Sequence, residues 1–75
     1  MYIIYSKENC PRCVTAKQLL ERKGIVYEVK MAGVDYDVDD LRKLGVRMLP
    51  YIEQVLPEGG DVVGSLEDLM KEVYQ

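Results

Sequence analysis

Apolar residues open the chain as one run, Met1–Tyr5, and afterwards recur at helical or alternating spacing. The run is short and rich in β-branched and aromatic residues, which predicts a buried strand. A polar loop, Ser6–Asn9, follows. Cys10 then stands at a helix N-cap with Pro11 at the first helical position. Proline suits that position because its missing N–H would have found no partner there. The helix should reach about Lys23 and stop at Gly24, with Cys13, Ala16, Leu19 and Leu20 on its inner face.

Ile25–Lys30 alternates, with Ile25, Tyr27 and Val29 on one side, and predicts a second strand. Asp37–Gly45 predicts a short helix: Asp37 and Asp40 suit its start, and Arg42 and Lys43 its end. Leu49 and Pro50 precede the apolar stretch Tyr51–Leu56, a third strand, and proline is tolerated at a strand's first residue. A turn over Pro57–Asp61, carrying Gly59 and Gly60, should lead into a fourth strand, Asp61–Gly64. Ser65-Leu66-Glu67-Asp68 reads as the cap of a last helix whose Leu66, Leu69, Met70 and Val73 form an apolar stripe. The order is β-α-β-α-β-β-α. Its first β-α-β should be a right-handed parallel unit, and its last two strands should be antiparallel. An α/β fold follows, a four-stranded mixed sheet with helices packed on it.

At 75 residues, 48% of them hydrophobic, the chain has room for one domain over 1–75 and is too apolar to be disordered. The longest uncharged run is the first six residues, far below the roughly 20 needed to cross a membrane. Lys7 and Glu8 interrupt the apolar start, so no signal-peptide layout is seen and a cytoplasmic setting is expected. A net charge of −3 argues against a nucleic-acid partner. The absence of His removes imidazole acid–base chemistry and His metal ligands together.

Two cysteines carry the chemistry, in Cys10-Pro11-Arg12-Cys13. A secreted disulfide framework would use more cysteines at wider spacing. A structural zinc site needs four ligands and this pair supplies two, so no metal site is expected. Redox chemistry remains, with inert buried cysteines or a zinc half-site as the alternatives. At the N-cap, Cys10 faces the free N–H groups of Arg12 and Cys13 and the positive end of the helix dipole. Lys7, Arg12 and Lys17 against Glu8 add a local +2. Cysteines so placed titrate at about 3.5–7.5 rather than about 8.5. Cys13 lies on the apolar face and should stay a neutral thiol. Cβ atoms three residues apart on a helix are about 5–6 Å apart, whereas a disulfide wants about 3.5–4.5 Å. The half-helical N-cap position closes that gap, and Pro11 stiffens the link. Cys10 is therefore the expected nucleophile and Cys13 the resolving thiol of a redox-active disulfide.

The chain resembles the glutaredoxins of the thioredoxin superfamily. The resemblance rests on Tyr5-Ser6-Lys7 before Cys10-Pro11-Arg12-Cys13, on Leu49-Pro50 before the third strand, and on Gly64-Ser65-Leu66-Glu67-Asp68-Leu69 opening the last helix. It implies a thioredoxin-like fold with helices on both faces of the sheet, and a cis-proline at Pro50 beside the disulfide. It also implies glutathione as co-substrate, with no bound cofactor. Leu49 would offer its backbone to the cysteinyl part of glutathione, with Met48 and Pro50 beside it. The start of the last helix, at Leu66, Glu67 and Asp68, would take the γ-glutamyl end. Lys7 would meet the glycyl carboxylate, with Arg12 and Arg47 as further cations. Arg12 departs from the family's usual aromatic, and Met48-Leu49 from its usual Thr-Val.

The activity so implied is glutathione-dependent reduction of protein disulfides and glutathione mixed disulfides by a monomer. Ribonucleotide reductase is one candidate acceptor. Reduction by thioredoxin reductase is the alternative. A third reading, an iron–sulfur or metal-sharing protein using Cys10, is disfavoured by Cys13 and Pro11. The acidic run Asp35, Asp37, Asp39 and Asp40 reads as a solvated helix start.

Overall fold

The computed structural model describes residues 1–74. Their elements run β1 (Tyr2–Ser6), α1 (Pro11–Arg22), β2 (Tyr27–Met31), α2 (Val38–Lys43), β3 (Tyr51–Leu56), β4 (Gly59–Gly64) and α3 (Leu66–Val73). One mixed sheet has the order β2-β1-β3-β4. β1 pairs parallel with β2 and antiparallel with β3, and β3 and β4 form an antiparallel hairpin. The mixed four-stranded sheet is the one expected from the element order, and the architecture is the thioredoxin-like one that the resemblance implies.

The core lies between one face of the sheet and the helices α1 and α3. Tyr2 and Ile4 of β1 and Ile52 of β3 meet Ala16, Leu19 and Leu20 of α1 and Leu66 and Leu69 of α3. Ile4 and Ile52 are register partners, so both fall on that face. The alternate residues, Tyr5 and Tyr51, are also partners and point the other way. There Tyr5 meets Tyr36 edge to face, with ring centroids 5.2 Å apart. Tyr36 leads into α2, so the segment carrying that helix covers the second face. Its hydroxyl donates to the Ser6 carbonyl at 2.8 Å, and the Ala32 N–H donates to the same oxygen at 2.9 Å. The end of β1, where the chain leaves for Cys10, is therefore held from two sides.

Several boundaries differ from those predicted. β2 begins at Tyr27, not Ile25. The reason is the end of α1: Gly24 adopts φ +68, its N–H donates to the Glu21 carbonyl, and the Ile25 N–H donates to the Leu20 carbonyl. That is a Schellman cap, and it uses the N–H that Ile25 would have brought to a sheet. β4 begins at Gly59, because Leu56 pairs with Gly59 across a two-residue turn, Pro57-Glu58. The paired glycines are strand, not turn. α2 spans only Val38–Lys43. Met70 is exposed, beside Leu19 and Tyr74, whereas Leu66 and Leu69 carry the buried stripe of α3.

The acidic run has local structural duties. Asp35 accepts the Met31 N–H at 2.8 Å, Asp37 caps α2 by accepting from Asp39, and Asp39 pairs with Arg42 at 3.2 Å.

Candidate functional site

Cys10 occupies the N-cap of α1, with extended backbone at φ −118 and ψ 96. Its carbonyl accepts from the N–H groups of Cys13 and Val14 at 3.1 and 3.2 Å. Its Sγ also accepts from the Cys13 N–H, at 3.2 Å. The sulfur thus takes the place of a capping oxygen and shares the Cys13 N–H with the Cys10 carbonyl. Cys10 and Cys13 are joined by a disulfide, with Cα atoms 5.3 Å apart, inside the ordinary range for such bridges. Asn9, at φ 55, turns the chain sharply into the cap.

The two sulfurs differ in access. Cys10 is 9% exposed and lines a groove, while Cys13 is 1% exposed behind it. The groove has a volume of about 380 Å³. Lys7, Cys10, Pro11, Arg12, Met48 and Leu49 all line it. Leu49 and Pro50 are linked by a cis peptide bond, and Pro50 is buried at the base of β3. Met48 is 62% exposed at the rim. Seven sequence-predicted residues, Arg47 among them, therefore line one groove, with Cys13 and Pro50 buried.

The three predicted at α3 are placed differently. Leu66 is 6% exposed and belongs to the core, leaving only its backbone for any ligand. Asp68 is engaged in a capping box: its carboxylate accepts from the Ser65 N–H at 3.0 Å, and the Ser65 hydroxyl accepts from the Asp68 N–H at 3.4 Å. Those contacts, the Ser65 backbone first, hold the Asp68 carboxyl below its ordinary value. Glu67 is exposed and reaches across to α1, where both its oxygens lie 2.6 Å from Nη2 of Arg12. The guanidinium, with help from the Glu67 backbone N–H, lowers the Glu67 carboxyl to about 2.

That ion pair corrects the expected role of Arg12. Its charge was expected to strengthen the positive field at Cys10; the structure instead matches it to a carboxylate. Lys7 and Arg47 line the same groove and take part in no ion pair among the described residues. They are the groove's open cations.

Sequence reasoning missed the apolar part of the lining, made by Val38 and Leu41 of α2 and by Val46. One signal could have found it: Leu41 stands among charged neighbours, Asp39, Asp40, Arg42 and Lys43, and is buried. Among the described residues, no group of three or more His, Cys, Asp or Glu side chains converges to hold a metal ion. No helix among them is long and apolar enough to cross a membrane.

The glutaredoxin family model matches residues 2–53, from β1 into β3. A hybrid peroxiredoxin of Haemophilus influenzae is 37% identical over 68 residues, which is 91% of this chain and 27% of that protein. The chain thus spans about a quarter of that relative. A glutaredoxin of Brucella melitensis has a solution structure that superposes with a TM-score of 0.70 at 28% identity, over 95% of this chain and 77% of that one. Glutaredoxin 1 of Francisella tularensis has the same fold, with a TM-score of 0.66 at 21% identity, over 95% of this chain and 88% of that one.

Proposed function

Since the chain belongs to the glutaredoxin family, we propose that it is a thiol–disulfide oxidoreductase that works through Cys10 and Cys13 and is recharged by glutathione. One observation carries this reading. The accessible sulfur is the one at the head of a helix, with a backbone N–H aimed at it. In the reduced protein the same donor and the helix dipole favour a thiolate there.

The chemistry is two successive exchanges. The Cys10 thiolate attacks one sulfur of a substrate disulfide. A Cys10–substrate bond forms, the substrate S–S bond breaks, and the departing thiolate takes a proton from solvent. Cys13 then loses its proton and attacks Cys10 Sγ. The Cys10–Cys13 bond forms and the second substrate sulfur leaves as a thiol. Two electrons have passed to the substrate. One glutathione then opens the bridge at Cys10, and a second removes the first as oxidised glutathione, restoring the Cys10 thiolate.

Lys7 and Arg47, open on the groove, suit the carboxylates of glutathione. The Leu49 backbone, on the same groove as Cys10, suits its cysteinyl part. Protein disulfides would be the physiological acceptors, that of ribonucleotide reductase among them, and the cytoplasm is the compartment in which the dithiol form persists. Reduction by thioredoxin reductase is the second reading. It is favoured by Arg12 and Glu67, which occupy each other where a glutathione end would dock.

The deciding experiment couples NADPH oxidation to turnover of a glutathionylated peptide, with glutathione and its reductase in one arm and thioredoxin reductase in the other. Turnover in the first arm, lost in Cys10→Ser, is expected. Cys13→Ser should keep removal of glutathione from the peptide and lose reduction of a protein disulfide. Turnover only with thioredoxin reductase would overturn glutathione as reductant.

A further inference from the structure

Arg12 stands beside Cys10 on the groove wall, yet its guanidinium is already taken. Both oxygens of Glu67 reach it from the first turn of α3, and both rest on the single nitrogen Nη2. A guanidinium holds a carboxylate best as a fork, with two N–H groups meeting two oxygens. Glu67 does not provide that. The Arg12 Nε is left buried with no partner, the sole such side-chain nitrogen or oxygen among the described residues. The pair is also open to solvent, with the two side chains 38% and 57% exposed. A contact that is exposed, and incomplete on the arginine side, is readily exchanged for another carboxylate.

We propose that Glu67 is a built-in competitor for the Arg12 guanidinium, and that the pair sets which disulfides Cys10 prefers. A substrate half that carries a carboxylate near its reacting sulfur must displace Glu67 before it gains Arg12. Neutral disulfides make no such exchange and meet Cys10 unhindered. The protein is thereby tuned away from small anionic disulfides and toward disulfides whose flanking groups are uncharged or basic. The inference rests on Cys10 being the nucleophile and on glutathione being a substrate, and it adds what limits the latter. Arg12 and Glu67 act here on preference and take no part in bond making.

The test is single-turnover reaction of the reduced Cys13→Ser protein with oxidised glutathione and, separately, with bis(2-hydroxyethyl) disulfide. Mass spectrometry follows the adduct on Cys10. The readout is the ratio of the anionic to the neutral rate constant, in which any change in Cys10 ionisation cancels. Glu67→Gln should raise that ratio about two- to fivefold at low ionic strength, the range set by exposed ion pairs. In an Arg12→Gln background the same Glu67→Gln change should leave the ratio where it was. An unchanged ratio in Glu67→Gln overturns the proposal. So does an equal gain without Arg12, since that is simple repulsion by Glu67 rather than competition. The coupled turnover assay judges glutathione as reductant separately: its failure with the ratio change intact retires the reductant and keeps the pair, and the converse retires the pair alone.

Discussion

The N–H of Cys13 donates to the Sγ of Cys10 across 3.2 Å, so the second cysteine's backbone holds the first cysteine's sulfur. The same N–H also lies 3.1 Å from the Cys10 carbonyl, so one donor is shared between the cap's backbone and its side chain. No rearrangement of α1 is needed to aim a dipole at the sulfur once the bridge opens.

In the reduced protein Cys10 should therefore titrate well below the free-thiol value of about 8.5, within the range of about 3.5–7.5 found for cysteines at helix N-termini. Thiolate absorbance in the Cys13→Ser variant measures it directly. Rapid alkylation of Cys10 at pH 7, with Cys13 spared in the unmodified chain, is the companion result. A midpoint near 8.5 would contradict the assignment.

Glu67 offers a pH prediction. Arg12 holds its carboxyl at about 2 in the folded chain, against an ordinary 4.5. A lowered folded value means that the interaction stabilises the fold above the ordinary value and is lost as pH falls from about 4.5 through about 2. Carboxyl-carbon NMR should give a Glu67 midpoint below the ordinary carboxylate value. In Arg12→Gln it should move up toward the ordinary one. Exposure of the pair keeps its share of total stability small.

Leu20 is fully buried between α1 and the sheet. Leu20→Ala removes its packing and leaves a cavity, so a loss of about 2–5 kcal/mol is expected. A domain this small has little stability in reserve. A urea midpoint unaltered by the change would mean that the core lies elsewhere.

Gly64 joins β4 to the cap of α3 at φ +112, and a Cβ built there would overlap the Asp68 carboxylate. That carboxylate is held by Ser65 and cannot yield without opening the capping box. Gly64→Ala should cost about 1–3 kcal/mol. Ser65→Ala, which removes one capping acceptor, should cost about 1 kcal/mol. Chemical denaturation of the two variants checks the order, and the reverse order would contradict this account of the junction.

What could be read along the chain was what depends on near neighbours. The cap at Cys10, Pro11 at the first position of α1, Gly24 at its end and Ser65 with Asp68 at the start of α3 each involve groups within about four residues. Such groups meet whatever the rest of the chain does. The mistaken boundaries arose where one local preference overrode another: Ile25 alternates like a strand residue but closes the Schellman cap, and Gly59 and Gly60 resemble a turn but pair with Leu56 and Val55. The cis bond before Pro50 came from the family resemblance, because Leu49 and Pro50 alone do not distinguish cis from trans.

The sequence by itself determined which sulfur heads its helix and which lies behind it, because helical geometry over four residues settles that. Only the tertiary structure decided the groove and its charge. Val38 and Leu41 come to share a groove with Cys10, and Glu67 comes to hold Arg12 from 55 residues away, through the packing of helices on a sheet. A side chain's partner across such a distance is set by how those elements are laid together, which no local pattern records.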